Sequence, residues 1–204
     1  MKYLFLFFTL CLSFSWNLPG QSKDELRLLF IGNSLTYTNN LPNLVLLRAQ
    51  KDKRDITTEM IALPNYALVD HWNDQSIQKA IAQGNYDFVI VQQGPSSQDF
   101  GRQVLIDYGQ RIKDLCDEHG SQLMFFMVWP SKAYYYTFEK VIKNHYDAAK
   151  ASNALVCPVG LKWKELTDNN PESGLYGPDG FHPSRKGSDF AASEIYKCVL
   201  DNKN

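Results

Sequence analysis

Several features that would place a chain quickly are scarce or missing here. Cysteine is rare: four in 204 residues, with no Cys-x-x-Cys spacing. A redox or thiolate-metal centre is therefore not indicated, and Cys116, Cys157 and Cys198 read as small buried hydrophobes. No basic run stands out and the formal net charge is -1, so the electrostatic footprint of a nucleic-acid or anionic-membrane binder is missing. No His/Asp/Glu set has metal-ligand spacing, so neither a metal nor another cofactor is expected. No apolar run reaches the roughly 20 residues that span a bilayer. No repeat, low-complexity tract or linker interrupts residues 25 to 202. With 44% hydrophobic and 21% charged residues, the disordered and fibrous classes drop out and one domain of ordinary size remains.

The amino terminus is informative. Lys2 precedes the apolar run YLFLFFTLCL, followed by Ser13-Phe14-Ser15. A positive start, a short apolar stretch and small residues two apart are the layout of a secretory signal peptide. Residues 1–20 are expected to be a removable leader and 21–204 the domain. The protein would then be exported, to the periplasm or outside the cell, with no stable membrane anchor after cleavage. Cys11 is a poor lipid-attachment site because bulky Leu10 precedes it.

Beyond the leader, short apolar runs alternate with helical patterns. The runs are Leu26–Ile31, Ile56–Leu63, Tyr86–Val91, Gln122–Val128 and Ala154–Val159, and helices are expected near 41–53, 73–83, 100–119, 137–152 and 184–201. Strands that are apolar throughout, separated by helices, predict a parallel sheet covered on both faces. Five such units predict a three-layer α/β/α, flavodoxin-like, doubly wound five-stranded sheet. Ligands in such folds bind beyond the carboxyl ends of the strands, so chemistry is sought just after each strand.

Immediately after the first strand stands Gly32-Asn33-Ser34-Leu35-Thr36. Glycine permits a sharp turn, and a serine at a strand-to-helix junction can present both its hydroxyl and its amide to a crevice. Alone, such a serine is as readily a helix cap. Near the other end stands Tyr176-Gly177-Pro178-Asp179-Gly180-Phe181-His182-Pro183. Asp179 can hold one ring nitrogen of His182 while the other faces outward, the logic of a serine triad. Its plainer reading is a Pro-Asp-Gly turn.

Together these segments resemble the SGNH (GDSL-type) hydrolase superfamily, which carries Gly-Asp-Ser near its start and Asp-x-x-His near its end. The resemblance spans residues 21–204 in order and length, and Phe30-Ile31-Gly32-Asn33-Ser34 looks like a secreted bacterial branch. It implies a flavodoxin-like fold and a catalytic set of Ser34, His182 and Asp179. The implied reaction is ester hydrolysis, often of an acetyl group on a carbohydrate, so the expected partner is a small-molecule or acetylated-carbohydrate ester. Asn33 stands where most members have aspartate.

Two departures concern the oxyanion hole, to which the Ser34 amide would contribute. The family's glycine after the second strand is here replaced within Leu63-Pro64-Asn65-Tyr66-Ala67, with Asn65 as the substitute, asparagine being tolerant of φ > 0. The asparagine after the third strand is replaced within Val91-Gln92-Gln93-Gly94-Pro95-Ser96. Ser96 is in register, while Gln92 or Gln93 could supply an NH₂ donor, with alternation letting only one face the crevice. Asn33, His71 and Ser96 are candidates to touch substrate, though His71 could equally pack beside Trp72. Tyr134-Tyr135-Tyr136, after Trp129-Pro130, falls on the same edge. Thr36 in place of a second glycine argues against the α/β-hydrolase elbow, and the first loop lacks the donors that wrap a flavin phosphate. The runner-up is a binding protein that keeps this fold with a decayed oxyanion hole.

Overall fold

The structure is a computed structural model that describes residues 25–94 and 96–203. The expected leader over 1–20 lies outside the described residues, as does Pro95. Five strands form one sheet: β1 Leu26–Gly32, β2 Ile56–Ala62, β3 Phe88–Val91, β4 Gln122–Phe126 and β5 Leu155–Cys157. Every pairing is parallel and the order is β2-β1-β3-β4-β5. This is the flavodoxin-like order, with its switch point between β1 and β3.

The apolar runs become strands because both of their faces are buried. Leu28 and Phe30 of β1 point into one half-core with Ile90 of β3, Phe126 of β4 and residues of α2 Leu41–Lys51 and α8 Arg185–Asp201. Leu29 and Ile31 point the other way with Val89, Val91 and Phe125, against α3 Leu68–Asn73, α4 Ser76–Gly84, α5 Asp99–Glu118 and α6 Phe138–Ser152. All four β1 residues are fully buried, which is why the run shows no polar alternation. Cys116 and Cys157 are buried and Cys198 is partly so. Burial pushes the Cys116 thiol up to about 12, so it behaves as a hydrophobe. Among the described residues no helix is long and apolar enough to cross a membrane.

Three elements differ from expectation. The helix expected near 73–83 begins at Ser76 as α4, after Gln75 at φ 60, and a short helix that was not expected, α3, precedes it. A four-residue helix, α1 Ser34–Tyr37, follows β1 directly. The run expected as a strand over Ala154–Val159 is cut to three residues, because Pro158 caps a further helix, α7 Val159–Asn169. Gly160 of α7 lies so close to β4 that a Cβ would come within 2.3 Å of the Val128 carbonyl oxygen.

Candidate active site

The turn from β1 into α1 is fixed from several directions. A Cβ on Gly32 would sit 2.4 Å from Thr36 Oγ1 and 2.6 Å from Gln92 Oε1, so only glycine fits. Asn33 caps α1: its Oδ1 accepts from Leu35 N at 3.2 Å, and its Nδ2 donates to the Tyr66 carbonyl at 2.9 Å. The Asn33 and Thr36 donors converge on one oxygen, Gln92 Oε1, at 2.9 and 3.0 Å. His71 donates from Nε2 to the Gly32 carbonyl at 2.7 Å. Ser34 thus begins a helix whose first amides have no intrahelical acceptor, and its half-buried side chain faces the loop before α8.

That loop is held as firmly. Tyr176 and Pro183 form an antiparallel bridge, Gly177 N donates to the His182 carbonyl at 2.7 Å, and Gly180 turns the chain at φ 68. Trp129, just past β4, donates from Nε1 to the Phe181 carbonyl at 3.0 Å, and Tyr176 donates its hydroxyl to the Pro130 carbonyl at 2.9 Å. Trp129 is itself stacked on Trp163 of α7, with centroids 3.5 Å apart. Asn39 reaches across to the carbonyls of Pro183 and Ser184 and to Ser188 Oγ. This clamp joins the chain's two ends.

The two segments bring three side chains into a relay. His182 Nε2 lies 2.9 Å from Ser34 Oγ, and His182 Nδ1 lies 2.6 Å from Asp179 Oδ2. The other carboxylate oxygen accepts from the Phe181 and His182 amides at 2.9 and 3.0 Å. The His182 side chain above all, and then these amides, hold the Asp179 carboxyl down at about 2. An ionised Asp179 fixes the tautomer with hydrogen on Nδ1, leaving Nε2 free to accept the serine proton.

The remaining candidates take other places. Asn65 adopts φ 62 and is exposed in the turn after β2, and the bond from Asn33 to Tyr66 brings that turn beside Ser34. Gln93 is buried with both ends engaged: Oε1 accepts from Leu68 N and Nε2 donates to the Gly94 carbonyl, each at 2.8 Å. Gln92 is buried too, and turns its oxygen rather than its amide toward the nucleophile turn. Gln93 is thus a buried brace rather than a crevice donor, while Gln92 braces the nucleophile turn through its oxygen and leaves its buried Nε2 without a hydrogen-bond partner among the described residues. Ser96 is buried, accepting from Asn144 Nδ2 at its carbonyl, with Oγ 3.5 Å from His145 Nδ1. His71 is fully buried behind the turn, and desolvation lowers its pKa, so it stays neutral. Asn33 is tied to Leu35 and Tyr66. The sequence did not indicate that Asn39 and Trp129 brace this loop; the Asn39-Asn40 pair, found here at positive φ, was the nearest signal.

A cleft of about 820 Å³ opens beside the relay over the ends of β3 and β4, with Leu35, Asp179 and Phe181 on its near wall and Tyr134 and Tyr136 on its far wall.

The five-stranded parallel α/β/α sheet and its strand order place this chain in a class by fold: it has the fold of the SGNH hydrolases. Solved structures of that fold superpose along most of the chain. An SGNH hydrolase from Slackia heliotrinireducens aligns at TM-score 0.71 and 22% identity, covering 86% of this chain and 99% of its own. The lipase/acylhydrolase from Enterococcus faecalis aligns at 0.69 and 13%, covering 86% and 96%. Axe2, an acetylxylan esterase from Geobacillus stearothermophilus, aligns at 0.64 and 15%, covering 85% and 94%. No protein-family model matches the sequence, and no curated protein does.

Proposed function

We propose that this protein is an exported serine esterase that hydrolyses short-chain, chiefly acetyl, esters, with carbohydrate esters as the candidate natural class. The single observation that carries the reading is the Ser34–His182–Asp179 series, at 2.9 and 2.6 Å. In the first half-reaction Ser34 Oγ forms a bond to the acyl carbon while His182 Nε2 takes its proton. The tetrahedral intermediate then collapses, the bond to the alcohol oxygen breaks, and His182 returns the proton to that oxygen. Water repeats the sequence on the acyl-serine, releasing the carboxylic acid and restoring Ser34.

The oxyanion that forms in each half needs donors in place beforehand. The Ser34 amide is one. The Asn65 amide is the other, a reading supported by the left-handed backbone of its turn. Fold neighbours that are acetylxylan esterases and a lipase/acylhydrolase favour ester chemistry. Turnover of p-nitrophenyl acetate by the purified chain tests the reading. Wild type is expected to turn over well above background and Ser34→Ala at background; equal rates for the two would overturn it.

A further inference from the structure

The cleft beside the relay is much larger than an acetyl group needs, falling in the size range of sites that enclose whole small molecules. Its far wall is built by a 3-10 turn over Lys132–Thr137. Tyr135 anchors that turn: its ring packs edge-on against Phe138 at 4.7 Å, and its hydroxyl donates to Asp168. Tyr134 N donates to the Ser131 carbonyl at 2.9 Å and Thr137 Oγ1 to the Tyr134 carbonyl at 2.7 Å, closing the turn on itself. With Tyr135 held inward, its two neighbours are forced out. Tyr134 is 59% and Tyr136 80% exposed, their rings edge-to-face at 6.3 Å. Two large aromatics held in solvent by a rigid turn, above a floor containing Val128 and Trp129, form an apolar surface of the kind that marks binding grooves.

Charge narrows what fits. The charged groups lining the cleft are Asp99, Lys140 and Asp179. Lys140 pairs with Asp99 at 3.2 Å, and Asp179 is committed to His182. Among these lining residues no uncommitted cation is left to recognise an anion. Position narrows it further. His182 must hand its proton to the departing oxygen, so the alcohol leaves on the side of its loop, and Asp179 and Phe181 of that loop wall this cleft.

We propose that the cleft is the alcohol subsite, taking an uncharged alcohol that bears a ring with an apolar face, laid against Tyr134 and Tyr136. This rests on the esterase reading above. The ring could be an arene or the face of a pyranose.

The test compares kcat/KM of the purified full chain on acetates of unactivated alcohols: ethyl acetate, benzyl acetate and a monoacetylated methyl pyranoside. A parallel series of ethyl acetate, butyrate and octanoate varies the acyl side. Wild type is expected to favour at least one ring-bearing acetate over ethyl acetate by about tenfold or more, the better of the two assigning the ring. The Tyr134→Ala/Tyr136→Ala double variant should lose about tenfold of that ratio, chiefly through KM, and Tyr→Phe at both positions should restore it, because the ring face is what binds. A wild type without ring preference, or a preference that survives the double variant, overturns the subsite. So does a double variant that changes the octanoate-to-acetate ratio instead, which would make the cleft an acyl site. If folded wild type hydrolyses none of these esters, the esterase reading itself has failed and the subsite falls with it.

Discussion

The turn after β1 and the loop before α8 differ from the segment after β3 in how they use their polar groups. The first two leave Ser34 Oγ and His182 Nε2 facing one another and bind nearly everything around them, through Asn33, Thr36, Gly177 and Phe181. The segment Gln92–Ser96 does the reverse. The Gln92 and Gln93 side chains and the Ser96 carbonyl are turned back into the protein as braces for that turn, for α3 and for α6. One region presents reactive groups, and the other immobilises the presenter. In the proposed mechanism precision is thus distributed: Ser34 and His182 supply the reacting atoms, and residues after β3 help to hold them.

Removing a presenting group should cost most. His182→Ala is expected to reduce ester turnover on the order of 10⁴-fold, because Ser34 then lacks its base. A loss of tenfold or less, measured by steady-state kinetics, would mean another group serves that role.

The Asn65 turn comes next, a backbone device between the two regions. Valine tolerates positive φ poorly, so Asn65→Val should displace the amide and lower kcat about 10²–10³-fold with little change in KM. Asn65→Gly, free to adopt φ 62, should stay close to wild type. Equal losses in the two variants would point to the asparagine side chain instead.

Among the braces, the glutamines should separate. Gln92→Met strips the acceptor from Asn33 N and Thr36 Oγ1, two buried donors whose loss costs about 1–3 kcal/mol each. Denaturation should show that loss, and kcat should fall about tenfold because Ser34 sits between the freed groups. Gln93→Met loosens Leu68 N and should lower stability more than kcat. Indistinguishable kinetics for the pair would erase the distinction between a brace of the nucleophile turn and one of the neighbouring helix.

The smallest effect is acid stability. Asp179 titrates at about 2 when folded against an ordinary value of 3.8, so the folded state binds its proton more weakly than the unfolded chain. The resulting stabilisation is present above about pH 4 and is lost as pH falls through about 2. Its side chain is 52% exposed, so solvent screening keeps the contribution small. Asp179→Asn should flatten part of the acid limb in urea unfolding followed from pH 5 downward; a parallel limb would place the acid sensitivity elsewhere.

What was legible in the sequence follows the same division. Five apolar runs gave the sheet and its parallel sense, because buried parallel strands need no polar alternation. Gly32-x-Ser34 and the Asp-x-x-His spacing are local signals, and only their joint resemblance to the SGNH pattern suggested pairing Ser34 with His182, 148 residues distant. The site's second half was not legible that way. Gln92 and Gln93 carry identical groups at adjacent positions, and their directions are decided by Asn33 and Leu68, 59 and 25 residues distant. Strand alternation says nothing about such capture. The clamp from Asn39 to the α8 loop spans still more sequence, and α7 was hidden behind a proline that reads as a strand end but caps a helix.

The central claim, that Ser34 is an activated nucleophile, is tested most directly by covalent capture. Incubated with a fluorophosphonate, wild type should gain one adduct mass that peptide mapping places on Ser34, while Ser34→Ala and His182→Ala gain little or none. Adduct on a different serine, with Ser34→Ala still hydrolysing acetyl esters at the wild-type rate, would contradict the account.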